Sequence, residues 1–363
     1  MATTTADAGP APNPERLRRL SLAQRLLARP AAGALVIVVF VWIVFAVLSL
    51  IRNTSPGLPP FLTIPGVLNY VGVASQVGII ATAVALLMIA GEFDLSVGSM
   101  VGFAGILIGI CVTVWGLPVW LSILIAMAVT TCLGVINGLI VVRTGLPSFI
   151  VTLATLYIIA GMSSVLTSSV TNITFIRIEP TTIAADPLAA IFNFKLSFVF
   201  DGATSDLYVS VFWWIAIALV GAYVLGRTKW GNWITGVGGS PGAARNLGVP
   251  VARVKVALFA ATAFSASIVA VLQSMQFASA DIKRGGGYEL TAITMAVIGG
   301  CLLTGGYGSV IGTLLGALAL GMAQQGIVFA SINADWNLIA IGTLLLSAVV
   351  LNNWIRRRFA GLR

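Results

Sequence analysis

Ten apolar stretches constrain this chain more than any other feature, most of them near the roughly 20 residues that a helix needs to cross a hydrocarbon core about 30 Å thick. They run approximately from Gly33 to Ile51, Leu68 to Ala90, Val97 to Trp115, Pro118 to Val142, Phe149 to Thr167, Tyr208 to Leu225, Val254 to Gln276, Leu290 to Leu303, Val310 to Ala330 and Trp336 to Trp354, the eighth being short. Backbone in lipid has no water to bond to, so such segments fold as helices packed against one another. The expected fold is an all-α polytopic membrane protein of about ten transmembrane helices, some of them short or broken at glycines. Only 9% of the residues are charged, against about 25% in soluble domains, and mean hydropathy is +1.03.

The basic residues set an orientation. With the N-terminus in the cytoplasm, Arg16, Arg18, Arg19, Arg25, Arg29, Arg143, Arg227, Lys229, Arg245, Arg253, Lys255, Arg356, Arg357, Arg358 and Arg363 all lie inside, leaving only Arg52, Arg177, Lys195, Lys283 and Arg284 outside. This satisfies the positive-inside rule and puts both termini in the cytoplasm. The net charge of +9 therefore reports topology, and no nucleic-acid partner is expected. The apolar run after Pro30 exceeds the roughly 7–15 residues of a signal-peptide core, so it reads as a retained first span. Residues 1–32 then form a cytoplasmic tail, 33–355 the membrane domain and 356–363 a basic C-terminus. An external connection, 168–207, carries Pro180, Asp186, Pro187, Asp201, Asp206 and the apolar insert LAAIFNFKLSFVF. It is either a docking surface for an external partner or a semi-buried cap.

The chain has no histidine, which removes HExxH metal sites, Ser-His-Asp triads and Cys-His dyads. Cys111, Cys132 and Cys301 each sit inside an apolar run without CxxC spacing and read as small core residues. No catalytic residue and no metal site is expected.

The segment IAGEFDLSVGSM, Ile89 to Met100, places Glu92 and Asp94 between apolar runs. Gly91 permits a break after the second span, Asp94 or Ser96 can cap the next helix, and both carboxylates suit its N-terminus. A broken helix is tolerated only beside protein or a water-filled cavity. The site is thus a structural cap, a substrate-facing polar site or a proton relay. The last lacks an intramembrane histidine or lysine partner, and on this topology Glu289 lies at the opposite mouth.

Between the sixth and seventh spans, residues 226–253 form a cytoplasmic loop with a helix signal of its own. Ser240 is a good N-cap, Pro241 suits the first helical position, Ala243 to Asn246 favour helix, and Gly248 can take the left-handed conformation that ends one. A two-turn helix along the membrane face is expected. It is either an ordinary capped loop helix or a lever gripped by an energy-supplying subunit, with Ser240, Pro241, Ala243, Ala244, Arg245 and Gly248 as its coupling residues.

GGSPGAARNLGVPVARVK resembles the coupling segment of sugar-type ABC importer permeases, GEFDLSVGSM resembles the G-x-D-L-S-V-G-S signature of their ribose/xylose/simple-sugar branch, and GGGYELTAITMAVIGGCLLTGGYGSVIGTLLGAL is similar to a third motif of that family. Ser240 replaces a frequent Asn, and Cys301 and Thr304 replace small residues. The resemblance implies a permease for a simple sugar or polyol, working with a second permease copy, two ATP-binding subunits and an external solute-binding protein, in contact with membrane lipid. No GxxxxGK[ST] segment occurs, so no cofactor is expected on this chain, and ATP and Mg belong to the partner subunits.

Phe93, Asp94, Ser96, Ser99, Thr152 and Thr155 are candidates for the translocation pathway or for the helix break. An ion-coupled secondary transporter using Glu92 and Asp94, a nucleoside- or amino-acid-carrying ABC permease and an intramembrane enzyme are the rivals, the last weakened by the missing histidines. A shift of 214 residues aligns Gly91 with Gly305, Phe93 with Tyr307, Gly98 with Gly312, Ser99 with Thr313 and Gly102 with Gly316. Glycine-interrupted segments at corresponding places in two halves point to a translocation site. Gly308, Gly312 and Gly316 make a flat strip for close helix packing, against another helix of this chain or a second copy.

Overall fold

A computed structural model describes residues 30–53, 57–171, 174–200, 203–333 and 335–360. The N-terminal arginines and Arg363 lie outside the described residues. Fourteen α-helices occur among those described. Seven are long and apolar enough to span a membrane: α1 (Pro30–Arg52), α2 (Ile64–Ile89), α4 (Val119–Thr144), α5 (Ser148–Thr171), α8 (Val209–Arg227), α11 (Val251–Gln276) and α13 (Val310–Phe329). Three apolar elements are shorter, α3 (Val97–Thr113), α12 (Tyr288–Ile298) and the start of α14 (Trp336–Ala360). Together they account for the ten expected runs.

Burial sorts these helices. In α2 78% of the spanning window is buried and in α11 and α13 67%, against 22% in α5, so α2, α11 and α13 form the buried centre. Helices α8, α11, α12 and α13 pack on α2, while α3 and α4 pack on α11. A helix apolar all round is expected in such a centre, and the buried face of α2 runs without a break from Val77 to Ile89.

The remaining elements gather at two ends. One end holds β1 (Phe175–Arg177) paired with β4 (Ser279–Asp281), the small helices α6 (Pro180–Ala184) and α7 (Pro187–Asn193), and the hairpin β2 (Lys195–Phe200) with β3 (Ala203–Tyr208). The insert LAAIFNFKLSFVF is therefore a helix followed by a strand. Asp186 caps α7 by accepting from Leu188 N (2.9 Å) and Ala189 N (3.2 Å), and it also takes Trp120 N at the start of α4 (2.9 Å). The other end holds α9 (Lys229–Gly239) and α10 (Pro241–Asn246). We call these the hairpin face and the α10 face.

Helices α3 and α12 have 17 and 11 residues, about 26 and 17 Å, and neither crosses a core about 30 Å thick. Their first turns meet inside the bundle. The carboxyl group of Glu289 lies on the bare Cα of Gly98, where any Cβ would overlap it. Glu289 is thus one turn from Ser96 rather than at the opposite mouth, because the chain after β4 folds back from the hairpin face before α12 begins. Gly312 and Gly316 pack on the backbone of α12, at Gly299 and Met295, so the glycine strip serves this chain's own helix pair. Cys111 and Cys301 are buried, whereas Cys132 is exposed on α4.

Candidate translocation and coupling sites

Helix α10 forms where its caps predict, although it is six residues long rather than two full turns. Ser240 Oγ accepts from Ala243 N (3.4 Å), and Gly248 takes φ +79° to end the turn. Ala244 packs inward, while Arg245 and Leu247 face outward, Leu247 at 85% exposure. A short rigid helix thus presents one large apolar side chain and one cation to whatever lies beneath.

Helix α9 connects this ledge to the helix breaks. Its Gly238 meets the carbonyl oxygen of Ile89, at the end of α2, so closely that a Cβ would overlap it. Gly91 (φ +83°), Gly305 (φ +77°) and Gly306 (φ +76°) turn the chain around that contact, a conformation costly for any residue with a Cβ. Gly306 N donates to Ile89 O at 2.8 Å. The two segments aligned by the 214-residue shift are therefore neighbours, both resting on α9.

Beyond Gly91 the chain runs into the bundle and forms a closed polar knot. Asp94 is fully buried. Its Oδ1 accepts from Ser96 N (3.0 Å) and Ser96 Oγ (2.6 Å), its Oδ2 lies 2.6 Å from Thr262 Oγ1 of α11, and Asn137 Nδ2 of α4 donates to Ser96 Oγ (2.9 Å). Phe93 N donates to Ser148 Oγ (3.0 Å), and Thr152 Oγ1 donates to Ser148 O (2.8 Å). The knot ties α3, α4, α5 and α11 together. Of the six pathway candidates, Phe93, Asp94, Ser96 and Thr152 meet here, while Ser99 and Thr155 bond back to their own helices at Ser96 O (2.9 Å) and Thr152 O (3.2 Å). Ser96 stands at the helix N-cap without a side-chain capping bond, and Asp94 accepts only from the N–H and hydroxyl of Ser96 and from Thr262, so neither residue caps the first turn of α3. Glu92 pairs with Lys255, a partner that becomes available because α11 starts beside the end of α2.

A second polar region opens below the hairpin. Here a cavity of about 590 Å³ is walled by α2, α12, α13, β3 and the end of α11, with Asn69, Gln76, Gln276, Tyr288, Thr291 and Gln324 as its polar lining. None of the six candidates is in its wall. Its signal in the sequence is faint but real: Asn69, Gly72 and Gln76 repeat at helical spacing through an apolar run, which is the pattern of a helix with one wet stripe.

A family model described as "Branched-chain amino acid transport system / permease component" matches residues 66–349. The chain belongs to this family. The permease is 29% identical over 310 residues to the ribose import permease protein RbsC of Haemophilus influenzae, covering 85% of this chain and 92% of the relative. It is 30% identical over 332 residues to the fructose import permease protein FrcC of Rhizobium meliloti, covering 90% and 86%. It is also 30% identical over 291 residues to the autoinducer 2 import system permease protein LsrD of Photorhabdus laumondii, covering 77% and 84%. No solved structure matches. The matched segment contains the knot, the glycine junction and α10.

Proposed function

We propose that this permease is the membrane-spanning part of an ATP-driven importer for a simple sugar or related polyol. The observation that carries the reading is the continuous path from exposed α10 through α9 to Gly238, which is seated against both glycine breaks. Separate ATP-binding subunits holding ATP and Mg grip Arg245 and Leu247, and their closure moves α9 against the breaks. Two permeases, of one kind or two, share the importer, and an external solute-binding protein delivers cargo onto the β2–β3 hairpin. In the bacterial inner membrane the α10 face and both termini are cytoplasmic. The sugar class is suggested by the ribose and fructose import permeases among the relatives.

The ion-coupled reading has less behind it, since Glu92 is paired with Lys255 and Asp94 is surrounded by hydrogen-bond partners. Gentle purification from the native membrane with mass spectrometry separates the two. Stoichiometric recovery of an ATP-binding subunit, with ATP-dependent uptake of ribose or fructose into vesicles, is expected. Recovery of the chain alone, with uptake that follows an ion gradient, would overturn the proposal, and uptake of nucleosides in place of sugars would keep the ATP drive and replace the cargo.

A further inference from the structure

We propose that the cavity below the β2–β3 hairpin is a binding site for a neutral polyhydroxylated solute, with Gln76, Gln276 and Tyr288 as its hydrogen-bonding contacts and Phe277 as its apolar wall. The proposal rests on the sugar-importer reading and deepens it.

The chemistry of the walls comes first. The polar lining consists of amides and hydroxyls, and its one charged side chain, Asp206 at the rim, is held by Lys195 Nζ (2.7 Å) and Ser197 Oγ (2.6 Å). An amino acid cargo would require fixed partners for its ammonium and carboxylate, whereas a polyol asks only for neutral donors and acceptors. The volume falls within the roughly 300–1,000 Å³ of small-molecule sites.

The amides are also ordered into a directional chain. Gln273, almost wholly buried behind the wall, donates through Nε2 to Gln76 Oε1 (2.8 Å) and to the Tyr288 hydroxyl (3.0 Å), and Gln76 Nε2 donates to Gln276 Oε1 (3.1 Å). The carbonyl oxygens of Gln76 and Gln276 are thereby used. The Gln276 amide and the Tyr288 proton remain as donors toward the cavity, which suits the lone pairs of sugar hydroxyls. Gln273 Oε1 has no partner among the described residues, and a buried acceptor left unsatisfied is uncommon enough to call for an explanation.

Phe277 completes the site. It is 54% exposed beside the cavity, with the Arg284 guanidinium 5.2 Å from its ring centre. The next residue, Ala278, holds φ +46°, an uncommon conformation for a residue with a Cβ. Ile178 N donates to Ala278 O at 2.9 Å and fixes this turn. The floor at Gln76 lies thirteen residues before Ile89, about 20 Å from the glycine junction along α2, so cargo bound there is still on the hairpin side of the knot.

The test uses the full chain in membrane vesicles, with Cys132→Ser removing the exposed thiol and Thr291→Cys placing one in the cavity wall. Labelling by a charged, membrane-impermeant maleimide is followed with D-ribose, D-fructose or L-leucine present. Saturable slowing by the sugars and not by leucine is expected. Gln276→Leu and Tyr288→Phe, the latter removing a single oxygen, should raise the half-protecting sugar concentration about fivefold, as loss of one neutral hydrogen bond does. No labelling at all, no protection by either sugar, equal protection by leucine, or protection unchanged in both variants would each overturn the proposal. Uptake by the assembled importer separates the two levels: sugar transport without cavity protection sinks only this site, whereas a wild-type importer that carries no sugar sinks the reading beneath it.

Discussion

The knot around Asp94 and the cavity around Gln76 both set polar side chains among apolar helices, yet they are built differently. In the knot the carboxyl oxygens, Ser96 and Asn137 are joined by short hydrogen bonds, and Asp94, Ser96 and Thr262 have no exposed surface. In the cavity Gln76 and Gln276 are half-buried and chained in one direction from buried Gln273, which leaves the Gln276 amide donors facing the open volume. A saturated network in a dry bundle holds helices in register, while an unsaturated one beside open volume is ready for a guest. Helix α11 belongs to both: Lys255 meets Glu92, Thr262 meets Asp94 and Gln273 meets the cavity wall. As α10 leads straight into α11, the rod that carries the coupling ledge also reaches the cavity, about 39 Å away along its axis.

The largest effect should come from breaking the knot. Asp94→Ala leaves Ser96 N and Ser96 Oγ without their buried acceptor, while Thr262 falls back on Phe259 O, a loss on the order of 3 kcal/mol. Detergent-stable permease should fall sharply in fluorescence-detected size exclusion. Asp94→Asn sharpens the comparison, because its carbonyl takes the two bonds from Ser96 and its amide donates to Thr262, whose own proton serves Phe259 O at 2.8 Å. This variant should assemble and transport normally. Loss of uptake with intact assembly would give the carboxyl a role in transport and dissolve the distinction between the two regions.

Next in size is Gly238→Ala. The added methyl collides with Ile89 O and crowds Gly306, and overpacking of this kind costs about 1–3 kcal/mol. Sugar uptake should fall well below wild type while ATP hydrolysis by the assembled importer becomes insensitive to the external binding protein. Normal coupling in this variant would disconnect α9 from the breaks.

Some of this was legible in the sequence and some was not, for a physical reason. The ten apolar runs follow from length alone, α10 follows from Ser240, Pro241 and Gly248, and the two breaks follow from Gly91 and Gly305. These are local signals, carried by adjacent residues. The amide cavity is not local: Gln76, Gln273 and Tyr288 come from three helices, and only their packing joins them. Glu289 was misplaced because an odd count of spans puts it at the far mouth, whereas a loop that re-enters the bundle obeys no such count. The pairing of Glu92 with Lys255 was missed because it depends on α11 starting beside the end of α2, which is packing between distant segments.

A smaller effect is expected at the ledge. Arg245→Ala and Gly248→Ala leave the buried face of α10 alone, since only Ala244 packs inward, so membrane levels should hold. Gly248→Ala strains a left-handed residue by about 1 kcal/mol and shifts the end of the helix, and Arg245→Ala removes a contact to the partner. Uptake should drop severalfold at unchanged abundance, and normal transport in both would show that α10 is an ordinary loop helix.

The smallest effect belongs to the hairpin rim, where the cavity's one carboxylate can be compared with the knot's. The hydrogen bond from Lys195, then that from Ser197, holds Asp206 below the usual carboxylate range, and the bond to Asp206 raises Lys195. A depressed carboxylate contributes above its unfolded pKa, and the contribution is lost as pH falls through the folded value. A raised lysine contributes below its unfolded pKa and loses that only as pH rises through the higher folded value. The pair therefore persists across the neutral range and opens at the acidic and strongly alkaline ends. Both groups are solvent-exposed, so screening keeps the effect slight. Amide hydrogen exchange of 195–208 should quicken by no more than about threefold in Lys195→Ala, in line with surface ion pairs, and added salt should narrow the difference. Sugar protection of the cavity thiol should stay flat through the neutral range, because the rim carboxylate is held below the usual carboxylate range. A steep dependence near neutrality would mean that the rim carboxylate is shielded as thoroughly as Asp94, and the open cavity would have to be redrawn as a closed one.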